Sequence, residues 1–181
     1  MSFEYVGDFE VMSNKVYVSD PCYSPGTWCQ GVLNGVKNGK RKALVERTDE
    51  DPLWGSRIKE LITHHESYGI EHLSYAEVEE CGFTVGVDSG QAGIFDFNTY
   101  RNDQIAEGFA RTKEPGDAWY DMCCKRTLSD HQCGTVFGGV VTCARYGDGL
   151  YKAWYVRNDR HEIVAMGIVF IDKYENEDED I

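Results

Sequence analysis

The 181-residue chain contains no apolar run long enough to cross a membrane, and Met1-Ser2-Phe3-Glu4 does not resemble the start of a signal peptide. Basic residues are scarce, because 18 Lys and Arg stand against 31 Asp and Glu and give a net charge of −13. An acidic protein of this kind repels nucleic acid. We therefore expect a soluble, cytoplasmic domain with neither nucleic acid nor membrane as its partner.

Cys-x-x-Cys pairs are absent, although the chain has seven cysteines. An odd number of cysteines without a secretion signal indicates free thiols in a reducing compartment. Structural zinc usually requires the missing spacing, so we predict no metal and no other cofactor. One group of residues close in sequence keeps zinc open as an alternative: Cys123, Cys124, His131 and Cys133.

The acidic charge is concentrated at the C-terminus. Residues 172–181 hold six acids and one lysine and so contribute −5 of the net −13. Runs of like charge are typically solvated tails. The length and the charge distribution predict one folded domain over residues 1–171, followed by a disordered acidic tail.

Three strand-like segments follow one another near the C-terminus, and each is rich in Val, Ile and aromatic residues. They cover residues 137–145, 150–157 and 162–171. Tyr146–Gly149 between the first two has the glycines of a tight turn, and residues 158–161 form a looser one. The pattern predicts a three-stranded antiparallel meander.

Upstream segments show the same composition. The stretch VDSGQAGIFD, residues 87–96, predicts two strands joined at a sharp glycine-rich corner. Two hairpins are also predicted, residues 3–12 with 15–19 and residues 30–36 with 42–47.

Two segments have helical character. Residues 117–128 are predicted to form a helix that Asp117 caps and that buries Trp119. A helix over Trp54–Tyr68 is predicted from apolar residues at three- and four-residue spacing, namely Trp54, Ile58, Leu61, Ile62 and His65. The predicted fold class is therefore α+β and mainly β, an antiparallel sheet or sandwich with two packed helices.

The segment Asp20–Cys29 cannot be regular, because it contains two prolines, yet it carries Tyr23 and Trp28. Trp28 could be a plug packed across one end of the sheet. It could also be the aromatic platform of a binding pocket. Buried aromatic residues are commoner than ligand platforms, which favours the plug.

Three motifs resemble domain-of-unknown-function family 4241, and most closely the versions carried by tailed bacteriophages. They are VSDPCY at residues 18–23, VDSGQAGIFD at residues 87–96, and GGVVTCARYGDGLYKAWYV with the strand that follows it. The resemblance implies a mainly β domain without established chemistry. It also implies an accessory protein in the host cytoplasm, acting on the host and its defences.

The sequence favours a binding protein over an enzyme, because it shows no catalytic triad. The ligand would be a nucleotide-like small molecule that the protein sequesters, or a host defence protein that it blocks. The predicted site lies where the Asp20–Cys29 loop and the turns at residues 88–93 and 147–149 meet. Its candidate residues are Asp20, Tyr23, Trp28, Asp88, Ser89, Gly90, Gln91, Gly147, Asp148, Gly149 and Tyr151.

Three alternatives stay open. Asp20, Asp88, Asp96 and Asp148 could hold a divalent metal ion for phosphoryl hydrolysis. The protein could instead have a structural role in an assembly, or form a homo-oligomer. The candidate turns could also be ordinary turns at both ends of the sheet, since turn chemistry alone accounts for each.

Overall fold

The computed structural model describes residues 2–49, 53, 55–74, 76–106, 114–144 and 146–171. These residues form a sandwich of two antiparallel sheets with one α-helix among them, which confirms the predicted mainly β class. Trp54 and the predicted acidic tail lie outside the described residues. No helix within the described ranges combines the length and apolar character needed to span a membrane.

The six-stranded sheet has a fully antiparallel order. From one edge to the other it contains β1 (Phe3–Val11), β4 (Gly39–Thr48), β5 (Arg57–His65), β11 (Ile163–Val169), β10 (Gly149–Arg157) and β6 (Glu79–Val87).

The five-stranded sheet is also antiparallel. Its order is β3 (Gly31–Asn34), β2 (Lys15–Ser19), β7 (Gln91–Asp96), β9 (Gly139–Cys143) and β8 (Cys133–Val136).

Strand β2 shows how the sequence divides the apolar residues between two cores. Val16 and Val18 belong to the cluster between the sheets, whereas Tyr17 belongs to a second cluster on the outer face of the five-stranded sheet. This alternation follows from the two-residue repeat of a strand. Helix α1 (Asp117–Thr127) covers the outer cluster with Trp119, as the sequence predicted.

The chain passes between the two sheets at four corners among the described elements, after β1, β3, β6 and β9. The predicted corner at VDSGQAGIFD is confirmed, since it joins β6 to β7. The two predicted N-terminal hairpins are wrong, because β1 and β2, and likewise β3 and β4, lie in different sheets. Strands β10 and β11 do pair, but β9 lies in the other sheet, so the predicted meander has two strands rather than three.

The predicted helix over residues 54–68 is wrong, because its described part contains strand β5. This strand lies inside the six-stranded sheet and is buried on both faces. Leu61 packs between the sheets and Ile62 packs on the outer face. Strands buried on both faces lose the two-residue alternation of polar and apolar positions, so their apolar spacing can coincide with that of a helix.

Candidate functional site

Asp20 follows β2 and is fully buried at the point where β6 turns into β7. Its Oδ2 accepts hydrogen bonds from the backbone N–H groups of Asp88 and Ser89, at 2.9 and 2.7 Å. Its Oδ1 accepts from the Ser89 hydroxyl at 2.6 Å and from Cys22 N–H at 2.8 Å. The buried carboxylate therefore clamps the Asp20–Cys29 loop to the β6–β7 corner.

The turn at residues 147–149, the third predicted segment, lies at the same β6–β7 corner. Ala144 N–H donates to Gly90 O at 2.9 Å, and Gly149 stands opposite Val87 in the pairing of β10 with β6. Gly90 has a φ of +74°, which L-residues with side chains rarely adopt. The loop at residues 20–29 and the turns at residues 88–93 and 147–149 thus lie at one end of the sandwich, as predicted.

The Asp20–Cys29 loop is held by side chains as well as by backbone contacts. Tyr23 donates to Asp88 Oδ2 at 2.6 Å. Burial raises the pKa of Tyr23, and the hydrogen bond to Asp88 raises it further, so this hydroxyl stays protonated. Tyr100 places its hydroxyl 2.6 Å from Tyr23 O, and Arg101 donates to Pro21 O at 2.8 Å. These contacts make the loop part of the rigid scaffold.

Trp28 is 86% exposed, so the predicted plug is wrong. The next residue, Cys29, is buried instead. Its carbonyl accepts a hydrogen bond from Gly86 N–H at 3.0 Å, which attaches the loop to β6. A Cβ atom at Gly86 would approach the Cys29 Cβ to 2.7 Å, so only glycine lets the loop pack this closely. Leu150 pairs with Gly86 in the neighbouring strand, and its side chain is 60% exposed.

Several predicted site residues are committed to the structure. Gln91 is buried and accepts from the Thr127 hydroxyl at 3.0 Å, which ties β7 to the end of α1. Tyr151 is buried, stacks edge-on against Phe170, and donates to Gly147 O at 2.7 Å. These contacts hold the corner together and leave the two side chains little surface for a ligand.

Three of the remaining candidates are half-buried, namely Ser89, Gly90 and Gly147. Asp88, Asp148 and Gly149 are exposed, and Tyr146 beside them is 64% exposed. We use the name corner surface for the exposed side chains of Trp28, Asp88, Tyr146, Asp148 and Leu150. Tyr146 and Leu150 were missed from sequence, although both flank the Gly-Asp-Gly turn.

Asp96 does not join the other candidate aspartates. It ends β7, whereas Asp20, Asp88 and Ser89 meet at the beginning of that strand, about 17 Å away for six residues. Its carboxylate accepts from Met12 N–H at 2.6 Å, at the corner between β1 and β2. The four aspartates proposed for a metal ion thus lie at two ends of the sandwich.

The four residues considered for zinc do not form one cluster. Cys123 belongs to the outer cluster under α1, and Cys133 to the cluster between the sheets, so they lie on opposite sides of the five-stranded sheet. Among the described residues, no group of three or more His, Cys, Asp or Glu is placed to hold a metal ion. All seven cysteines are free thiols.

No protein-family model, curated protein or solved structure matches this chain significantly. The resemblance to domain-of-unknown-function family 4241 therefore stays a hypothesis that rests on the three motifs.

Proposed function

We propose that this protein acts by binding another protein through the corner surface. The observation that carries the proposal is the exposure of Trp28, Tyr146 and Leu150 beside the carboxylates of Asp88 and Asp148, on a clamped corner. Trp and Tyr are the residue types that most often dominate the energy of protein interfaces. A rigid scaffold lowers the entropy that such residues lose on binding.

The charge of the surface defines the partner's chemistry. Two carboxylates beside an apolar patch favour a partner that presents an apolar anchor flanked by Lys or Arg. The resemblance to a bacteriophage family supports a host protein, for example one that acts in defence, as this partner. The activity would then be blockage by binding, with no chemical step.

A nucleotide-like ligand is the second candidate, because the exposed indole of Trp28 could stack on a base. The phosphate would need backbone N–H donors. Those of Asp88 and Ser89, which a glycine-rich turn would otherwise offer, already donate to Asp20. This occupation favours the protein partner.

The test compares immobilised wild-type protein with Trp28→Ala, Asp148→Asn and Glu80→Gln as baits in host cell lysate, with captured proteins quantified by mass spectrometry. Glu80 is the matched control, because it is an exposed acid near the far end of β6. We expect one host protein to be captured by wild type and by Glu80→Gln. Trp28→Ala should reduce its capture at least about tenfold, as loss of a hot spot does.

Two results would contradict the proposal. One is capture that is equal for all the baits, which would mark it as nonspecific. The other is native mass spectrometry of the freshly purified protein that shows a bound nucleotide, lost in Trp28→Ala. A concentration-dependent dimer that Trp28→Ala dissociates would instead identify a second copy of the chain as the partner.

A further inference from the structure

A cleft of about 510 Å³ opens at the other end of β7 from the corner surface. It lies between the end of β1 and the turn that joins β8 to β9. This volume is in the usual range of small-molecule sites. The proposed protein interface uses none of its residues.

The charge in the cleft has one sign. Asp8, Glu10 and Asp96 contribute to its lining, and no Lys or Arg does. Asp8 already forms an ion pair with Lys40, whose Nζ lies 3.1 Å from the Asp8 carboxylate. Within the described ranges, Glu10 has no ion pair or hydrogen bond through its side chain.

Asp96 adds a buried negative charge. It is 1% exposed and accepts only from neutral donors in the part of the chain described, namely Met12 N–H, the Ser13 hydroxyl and Asn98 N–H. Neutral donors stabilise a carboxylate but leave its net charge in place. The field in the cleft therefore favours a cation.

The walls also include apolar side chains that are open to solvent. Met12 and Phe137 both line the cleft and are 66% and 68% exposed. An aromatic ring and a thioether beside carboxylates suit a cation that carries a hydrocarbon stem, because the stem packs while the head pairs.

We propose that this cleft binds an alkylammonium group, with the ammonium head paired with Glu10 in the field of the buried Asp96, and the methylene stem against Phe137 and Met12. The group could belong to a free polyamine or to a lysine side chain, since both have the same head and stem. Phosphates and carboxylates are repelled by the same charges. The site is separate from the corner surface, so either proposal can fail without the other.

The test follows the backbone amide signals of Asn98 and Gly138 by nuclear magnetic resonance while a probe is added to the full-length protein. The probes are spermidine, the capped tripeptide Gly-Lys-Gly, and the capped tripeptide Gly-norleucine-Gly, which keeps the stem without the charge. We expect saturable shifts with spermidine or with the lysine peptide, and none with the norleucine peptide.

Three variants test whether the probe binds in the cleft. Glu10→Gln should weaken the binding of the active probe about fivefold, the value of about 1 kcal/mol for one exposed charge pair. Phe137→Ala should weaken it as well, while Glu80→Gln, which removes the same charge from the opposite edge of the sheet, should not. Asp96 is left unchanged, because it holds the β1–β2 corner.

The three probes distinguish a free polyamine from a lysine side chain as the ligand. Saturation by spermidine alone assigns the site to free polyamines, and saturation by the lysine peptide assigns it to a protein side chain. The proposal is overturned if no probe saturates or if the norleucine peptide binds equally well. It is also overturned if Glu80→Gln weakens binding as much as Glu10→Gln, because the effect is then one of overall charge.

Discussion

Asp20 and Asp148 are both aspartates at the same end of the sandwich, but their surroundings assign them opposite roles. Asp20 is fully buried and accepts from four donors, two of them backbone amides of the β6–β7 corner. Asp148 is exposed in its turn. A buried acceptor of this kind supports the fold, whereas an exposed one is free to meet a partner.

Replacing Asp20 should therefore destabilise the protein. Asp20→Ala leaves four donors without their acceptor, and we expect the free energy of unfolding to fall by about 3 kcal/mol. Urea unfolding measures the change. Asp148→Ala should leave the unfolding curve nearly unchanged while weakening capture of the partner. A stable Asp20→Ala protein would refute the clamp, and an unfolded Asp148→Ala protein would make Asp148 a turn residue only.

His65 gives the protein a specific pH dependence. Burial lowers its pKa below the usual 6.5. Its Nδ1 accepts from Ser67 N–H at 3.0 Å, and its Nε2 lies 2.9 Å from Asn38 O, so the neutral ring with a proton on Nε2 satisfies both contacts. Nearby Arg41 and Lys37 also disfavour the charged ring, while the hydrogen bond to Asn38 and the charge of Glu66 favour it.

As the pH falls below about 6.5, the unfolded chain therefore takes up the proton first, and the free energy of unfolding decreases. Urea unfolding at about pH 7.5 and about pH 5.5 brackets this range. In His65→Gln the free energy of unfolding should differ less between these two pH values than in the wild type, whatever its stability at either pH. His131→Gln, at an exposed histidine, should keep all of it. An unchanged pH dependence in His65→Gln would contradict the assignment.

At the scale of the element, α1 is held by contacts that its own sequence does not contain. Asp103, from a preceding turn, accepts from Gly116 N–H at 2.8 Å and from Trp119 N–H at 3.0 Å, and so caps the helix in place of Asp117. Trp119 packs edge-on against Phe95 and Tyr100, at 5.0 Å from each ring. The helix is therefore attached to the five-stranded sheet through aromatic packing.

Trp119→Ala should lower the free energy of unfolding by about 3–5 kcal/mol, because it removes a fully buried aromatic ring. Trp119→Phe should cost much less. It keeps the ring packing and removes an indole N–H that has no acceptor among the described residues. Thermal unfolding of the two variants shows whether the loss of stability follows the loss of aromatic packing. Equal destabilisation by both would show that the indole's outer ring, rather than aromatic packing, is what matters.

Most single strands were predictable, with β5 as an exception, but their assignment to sheets was not. The bounds of β2 follow directly from Val16 and Val18, which alternate with Lys15, Tyr17 and Ser19. Ser13-Asn14 and Lys37–Lys40 have turn composition, yet the chain uses them to change sheets, which local propensity does not encode. The convergence of the three loops was predicted. The contact of Asp20 with Ser89 was not, because it depends on the burial of Asp20, which the sequence does not show.

At the scale of the molecule, four of the seven cysteines are buried and the other three are half-buried. Burial raises the pKa of Cys22 and Cys81 to about 12 and that of Cys133 to about 11, so these thiols stay protonated at neutral pH. We expect seven reactive thiols in denaturant without reductant, and fewer in the native state. A count below seven in denatured, freshly prepared protein would indicate a disulfide and contradict the prediction.

The position of β11 also determines when the chain can fold during its synthesis. Strand β11 is the last of the described strands to be made, yet it lies between β5 and β10 inside the six-stranded sheet. Until the ribosome has released residues 163–169, β5 pairs with β4 on one side only, and its other hydrogen-bonding edge stays open. A nascent chain of this protein therefore completes the six-stranded sheet only after β11 has left the ribosome, and depends until then on whatever shields an open sheet edge in the cell.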